Sequence, residues 1–177
     1  MNKVFYFFLI ILVFSIGCRR MEKSQQSTPP QQLPQNINYT EKIESLKALL
    51  KEHPESLTGW IQLGNYSMDA GLFKDAIAAY EKALSMDPNN TDVRVDLGTC
   101  YREIGNPRKA IEEYNKALKI KPDHANALKN SAVVYSYDLK DPKSAINALE
   151  KYLKYYPEAP DKVQILSWLE DLKKTNR

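Results

Sequence analysis

Histidine, cysteine and glycine are scarce in this chain, with two, two and six among 177 residues. The scarcity excludes most site chemistry: there is no GxSxG nucleophile elbow, no HExxH zinc helix, no CxxC pair and no glycine-rich phosphate loop. His53 and His124 lie beside helix-ending prolines or in the turn after them, where exposed turn residues are expected. Carboxylates are scattered and most alternate with lysines, as in Glu81-Lys82 and Glu150-Lys151, the pattern of a solvated helix face. We therefore expect no catalysis by this chain alone, no cofactor, no metal and no small-molecule substrate. A surplus of one charge is also missing. With 25 lysines and arginines against 22 acids and no block of five like charges, neither a nucleic-acid footprint nor a polybasic membrane patch is expected. The one long apolar run, Val4 to Ile16, is broken only by Ser15. As a helix it would span roughly 20 Å, short of the ~30 Å hydrocarbon core of a bilayer.

What that run does carry is a charged start at Lys3 and a small residue at Gly17, the parts of a secretory signal peptide. Ser15-Ile16-Gly17-Cys18 resembles the lipobox of bacterial lipoproteins, with Ser15 where leucine is usual. The resemblance implies cleavage of residues 1–17 and acylation of Cys18, a membrane anchor whose hold grows by about 0.8 kcal/mol per buried CH₂. An uncleaved signal anchor is the alternative, because Arg19 and Arg20 follow the apolar run where the positive-inside rule places the cytoplasm. A lipidated Cys18 leaves Cys100 without a disulfide partner in the chain, so Cys100 reads as a small buried hydrophobe. Residues 18–38 are dominated by Gln, Pro and Ser and read as a disordered tether, with a reach of about 25 Å.

The remainder is repetitive. Residues 57–90, LTGWIQLGNYSMDAGLFKDAIAAYEKALSMDPNN, align without a gap to 91–124 at an offset of 34. Leu63 falls on Leu97, Gly64 on Gly98, Gly71 on Gly105, Ala76 on Ala110, Tyr80 on Tyr114, Ala83 on Ala117 and Pro88 on Pro122. A degraded third copy, 125–159, has one extra residue before Asp141-Pro142, Ser131-Ala132 in place of Leu-Gly, and no glycine at its internal turn. Each unit reads as two amphipathic helices around a tight turn, with Gly71 and Gly105 supplying the backbone freedom and Pro88, Pro122 and Pro157 ending the second helix. Residues 39–56 carry Ile43, Leu46, Leu49 and Leu50 at helical spacing and read as an amino-terminal cap. In residues 160–177, Ile165, Trp168, Leu169 and Leu172 form one apolar face, a carboxy-terminal cap. Tyr152, Tyr155 and Tyr156 are expected to pack against it.

The 34-residue period and the W-LG…A…Y…A…P pattern resemble the tetratricopeptide repeat (TPR). The resemblance implies an all-α, right-handed superhelical α-solenoid of about three TPR helix pairs with flanking capping helices. It also implies a concave groove, lined by the first helix of each pair, that holds an extended peptide or a helix of a protein partner. The groove rows would be Ile61, Val95 and Lys129; Asn65, Thr99 and Val133; and Met68, Arg102 and Ser136, with Thr58, Asp92 and Asn126 at the edge. Some TPR proteins clamp acidic chain termini with Lys, Asn and Arg; here those places hold Ile61 and Asn65, Asp96, and Asn126 and Asn130. Only Asn65 fits, so chaperone-tail binding is not expected. The mixed apolar and amide lining suits an uncharged extended segment.

These readings predict a lipid-anchored interaction scaffold of the bacterial cell envelope, facing the periplasm. An outer-membrane destination is favoured over the inner membrane, since no aspartate retention signal follows Cys18. The alternative is a non-catalytic docking subunit of an envelope enzyme complex such as cytochrome c maturation.

Overall fold

The computed structural model describes residues 38–175. The signal peptide, the Cys18 lipidation site and all of the tether but Asn38 lie outside the described residues. Within them the regular structure is helical: α1 (Tyr39–Glu52), α2 (Leu57–Asp69), α3 (Phe73–Met86), α4 (Thr91–Glu103), α5 (Pro107–Ile120), α6 (Ala125–Val133), a π-helical turn (Val134–Asp138), α7 (Pro142–Tyr155) and α8 (Lys162–Thr175). The helices pair as α2–α3, α4–α5 and α6–α7, with α1 packed on the first pair and α8 on the last. This is the α-solenoid with capping helices that the repeat implies.

Helix starts recur with the sequence period. Ser56, Asn90 and His124 cap α2, α4 and α6, accepting the N–H groups of Gly59, Val93 and Ala127 at 3.2, 3.1 and 3.3 Å, and so satisfying donors a helix end leaves orphaned. His124 is 5% exposed, which corrects the expectation of an exposed turn residue. Its Nδ1 accepts the cap bond, so Nε2 carries the proton and donates to Asp92 Oδ1 at 3.0 Å. His53 is exposed, as expected.

Helix ends show how the third copy departs. Gly71 and Gly105 have φ of 73° and 76°. The N–H groups of Leu72 and Asn106 donate five residues back, to Ser67 and Tyr101, closing Schellman caps. In the third pair the extra residue is taken up as the π-helical turn, the closing bond from Asp141 reaches six residues back to Tyr135, and Lys140 occupies the left-handed position at φ 55°. A lysine there is crowded by its own Cβ. Lys140→Gly is therefore expected to stabilise the fold by about 0.5–1 kcal/mol, measured as a higher urea midpoint. An unchanged or lower midpoint would show that the π turn carries no strain at this residue.

Two packing themes build the core. Tyr80 and Tyr114, 0% and 1% exposed, lie against Gly64 and Gly98, which leave room for the rings. The caps cover the ends, with Ile43, Leu46 and Leu50 against Leu63 and Ala79, and Ile165, Leu169 and Leu172 against Leu128, Leu149 and Tyr152. Leu49 departs from the expected cap face and is 45% exposed. Tyr152 is buried and donates to Asp161, and Tyr156 donates to the Asp123 carbonyl, whereas Tyr155 stays exposed.

Candidate functional site

The inner row is built by α2, α4 and α6, each packed against its pair helix. The buried tyrosines of α3 and α5 reach through to this row. Tyr80 Oη donates to Asn65 Oδ1 at 2.8 Å; Tyr114 Oη and Thr99 Oγ1 are 3.2 Å apart, and Asn130 Nδ2 donates to Thr99 Oγ1 at 3.4 Å. Burial and, for Tyr80, the charges of Asp96 and Asp69 push both phenols above their ordinary range, so they remain neutral donors or acceptors. Asn65 is exposed, and this bond engages its amide oxygen and not its amide nitrogen.

The nine expected groove residues do not form one open surface. Val95 is 3% exposed, belongs to the core and offers no face to a ligand, whereas Ile61, packed against the same cluster, stays half-buried. Neighbouring pairs flank α4 on both sides, while among the described helices α2 has only α1 beyond it, and the same repeat position is buried in one helix and half-buried in the other. Arg102 Nε donates to Asp138 Oδ2 at 2.6 Å, and Lys129 Nζ lies 2.9 Å from Asp161 Oδ2 and over the Tyr152 ring. Both cations are thereby held by acids 36 and 32 residues away. Ser136, at the π turn, lines a cavity of about 510 Å³ with Tyr137 and the α8 residue Trp168. The stack of Tyr137 on Trp168, 5.8 Å between centroids, was invisible in the repeat pattern, because the pattern breaks where the π turn begins. Ile61, Met68 and Val133 are half-buried beside Asn65 and Thr99 in sequence register.

Asp96 sits half-buried on α4 without an ion-pair partner among the described residues. Burial, followed by the charge of Asp92, pushes its carboxyl up to about 6, with Asp69 adding to the shift and His124 opposing it. The folded chain therefore binds this proton more tightly than the unfolded chain, and stability rises as pH falls from above 6 toward the ordinary carboxylate range. Asp96→Asn, which copies Asn130 of the next pair, should stabilise the protein at pH 7.5 by about 1 kcal/mol after allowance for solvent access. The gain should vanish by pH 4; thermal melts across that range giving a pH-independent difference would refute the assignment. Cys100 is 0% exposed, and burial pushes its thiol up to about 12, which leaves it unreactive.

No group of three or more His, Cys, Asp or Glu among the described residues could hold a metal, and no described helix is long and apolar enough to cross a membrane. Residues 23–163 match the sequence profile of the cytochrome c-type biogenesis protein H TPR domain. No curated protein sequence matches the chain. Among solved structures, MamA protein is similar at 25% identity and a TM-score of 0.68, over 77% of this chain and 74% of that one. YrrB, described as a TPR protein with an unusual peptide-binding site, is similar at 23% identity and a TM-score of 0.63, over 68% of this chain and 61% of that one. The type III secretion chaperone SycD of Yersinia enterocolitica, solved with a peptide of the translocator YopD, is similar at 16% identity and a TM-score of 0.64, over 70% and 96% of the two chains. The last two likenesses concern the fold.

Proposed function

Since the chain belongs to the family of the cytochrome c-type biogenesis protein H TPR domain, we propose that it is a non-catalytic protein–protein interaction scaffold whose inner row holds an extended segment of a partner. One observation carries this reading. The inner-row cations Arg102 and Lys129 are held by Asp138 and Asp161, which leaves the Asn65 amide and the half-buried Ile61, Met68 and Val133 as the surface a partner can touch. Asparagine amides bond peptide backbone and apolar side chains take up the intervening residues. The peptide complex of SycD and the peptide-binding site of YrrB lend the mode support by analogy of fold.

In the finer reading the repeats are 57–90, 91–124 and 125–159. Residues 1–17 are removed as a signal peptide, and Cys18 carries lipid at the end of a flexible tether. The scaffold then works at the periplasmic face of a bacterial envelope membrane, the outer one being favoured. A second reading, favoured by the family match, makes the chain the docking subunit of a cytochrome c maturation complex. Haem chemistry would then belong to other chains, and haem-attachment activity would co-purify with this one.

Crosslinking and pull-down from intact envelopes tests the proposal with wild type, Cys18→Ser and Asn65→Ala/Val133→Asp. Because Asn65 also holds Tyr80, Tyr80→Phe serves as a control that breaks the same hydrogen bond without altering the inner surface. A partner lost by the double variant and kept by Tyr80→Phe is the expected result. Its loss from the membrane fraction in Cys18→Ser is expected for a lipid tether. Identical partners in all four would remove the inner row from consideration.

A further inference from the structure

On the opposite side of the solenoid, between α5 and α7, a pocket of about 130 Å³ reaches down to α6. Its origin lies in the repeat. The position filled by Leu63 and Leu97 in the first two copies, 6% and 3% exposed, is Ser131 in the third. The shorter side chain leaves space, and Ser131 is 2% exposed with its hydroxyl oxygen lacking a hydrogen-bond partner among the described residues. A buried hydroxyl left unpaired costs about 1–3 kcal/mol; Ser67 on α2 is buried and unpaired in the same way, and Ser131 differs from it in standing at the floor of a pocket.

The rest of the pocket says what would pair with it. Asn115 and Asn147 stand exposed at the rim on α5 and α7, with Lys151 beside them. No aspartate or glutamate lines the pocket, and Lys151 is in no ion pair among the described residues. The space runs on past Leu118, Leu128 and Lys151 into a second depression of about 190 Å³ that adds Pro122, Lys154 and Tyr155, again without a carboxylate. One lysine, two amides and the hydroxyls of Ser131 and Tyr135 offer donors to a single negative charge, the third hydroxyl of the lining, Ser144, being spent on Asp141. A doubly charged phosphate would find no arginine here and only one cation at the first pocket. The volume admits the end of one acidic side chain or several waters.

We propose that this outer pocket is a second binding site, which receives a glutamate or aspartate side chain of a partner protein. The carboxylate meets Asn115 and Asn147 with Lys151 as counter-charge, Ser131, whose oxygen is enclosed in the free pocket, turns about χ1 to donate to it, and the neighbouring residue of the partner occupies the depression at Lys154 and Tyr155. The extension into that second depression is what commits the site to a chain segment rather than to a free small acid.

The test is an NMR titration of the full mature chain, following the side-chain amides of Asn115 and Asn147. The probes are acetyl-Ala-Glu-Ala-amide, its Gln counterpart, and propionate. The Glu peptide should saturate and bind at least about tenfold more tightly than either the Gln peptide or propionate, the gain of a charge-assisted contact and of a second subsite. Ser131→Ala and Lys151→Met should each weaken it severalfold. Ser131→Leu should abolish binding while raising Tm by about 3–6 °C, because it restores the packing of the other repeats. Equal binding of the Glu and Gln peptides would overturn the carboxylate assignment. Propionate binding as tightly as the peptide would overturn the partner-chain assignment, and undiminished binding by Ser131→Leu or Lys151→Met would overturn the pocket itself.

Discussion

Gly98→Ala will destabilise the protein by about 2–3 kcal/mol, although alanine is the better helix former by nearly 1 kcal/mol. A Cβ at Gly98 would lie 2.5 Å from Tyr114 Cε1 and 3.1 Å from the Ala110 carbonyl oxygen. The ring is 1% exposed and cannot swing away without breaking its contact with Thr99. The third pair contains the compensated version of this change: Ala132 stands where Gly98 does and Leu149 where Tyr114 does, both 0% exposed. Tyr114→Leu alone should lose about 2 kcal/mol through lost ring packing and the lost hydrogen bond. Gly98→Ala/Tyr114→Leu should lose less than the sum, with a favourable coupling of at least about 1 kcal/mol. Urea titrations of the four proteins measure the cycle. Strict additivity would show that helix separation, rather than the ring, sets the tolerance at residue 98.

A second large effect is expected where the repeat exchanges apolar for ionic packing. Arg94 donates to Glu113 Oε2 at 3.0 Å, and through Nε and Nη2 to the Pro88 carbonyl. The two side chains are only 16% and 10% exposed. One repeat earlier the same three places are Trp60, whose Nε1 donates to the Pro54 carbonyl at 2.9 Å, and the buried Ala79. Arg94→Ala strands the Glu113 carboxylate with only Lys116, 2.6 Å away, and should cost about 2–3 kcal/mol, below the 3–5 typical of a severed buried pair because that lysine remains. Arg94→Trp/Glu113→Ala, which rewrites the second repeat as the first, should match the wild type within about 1 kcal/mol or exceed it. If the double variant is as unstable as Arg94→Ala, the ion pair is worth more than the packing that replaces it elsewhere in the same chain.

Both experiments exploit the same property of the chain, that its own repeats serve as controls for one another. The period made the helix pairing readable, since Gly71 and Gly105, Tyr80 and Tyr114, and Pro88 and Pro122 recur at a spacing that only stacked helix pairs account for. The inner row was less readable. Position within a repeat assigned Val95 and Ile61 the same role, yet Val95 is buried between neighbours on both sides. Arg102 and Lys129 carry no local sign of pairing because their partners, Asp138 and Asp161, lie more than thirty residues ahead, one in the π turn of the third copy and one just before α8.

By itself, then, the sequence determined the fold class, the pairing of helices and the closing of the array by α1 and α8, because these follow from local periodicity, capping residues and turn glycines. Tertiary structure decided everything that depends on which neighbour a position meets. It turned His124 into a buried helix cap, put Lys140 in a left-handed conformation behind a π turn, paired the inner-row cations and opened the pocket over Ser131. The physical reason is that a repeat encodes contacts within its own unit identically each time, while burial, charge pairing and cavity space are set by the unit beside it, and no two units here have the same neighbours.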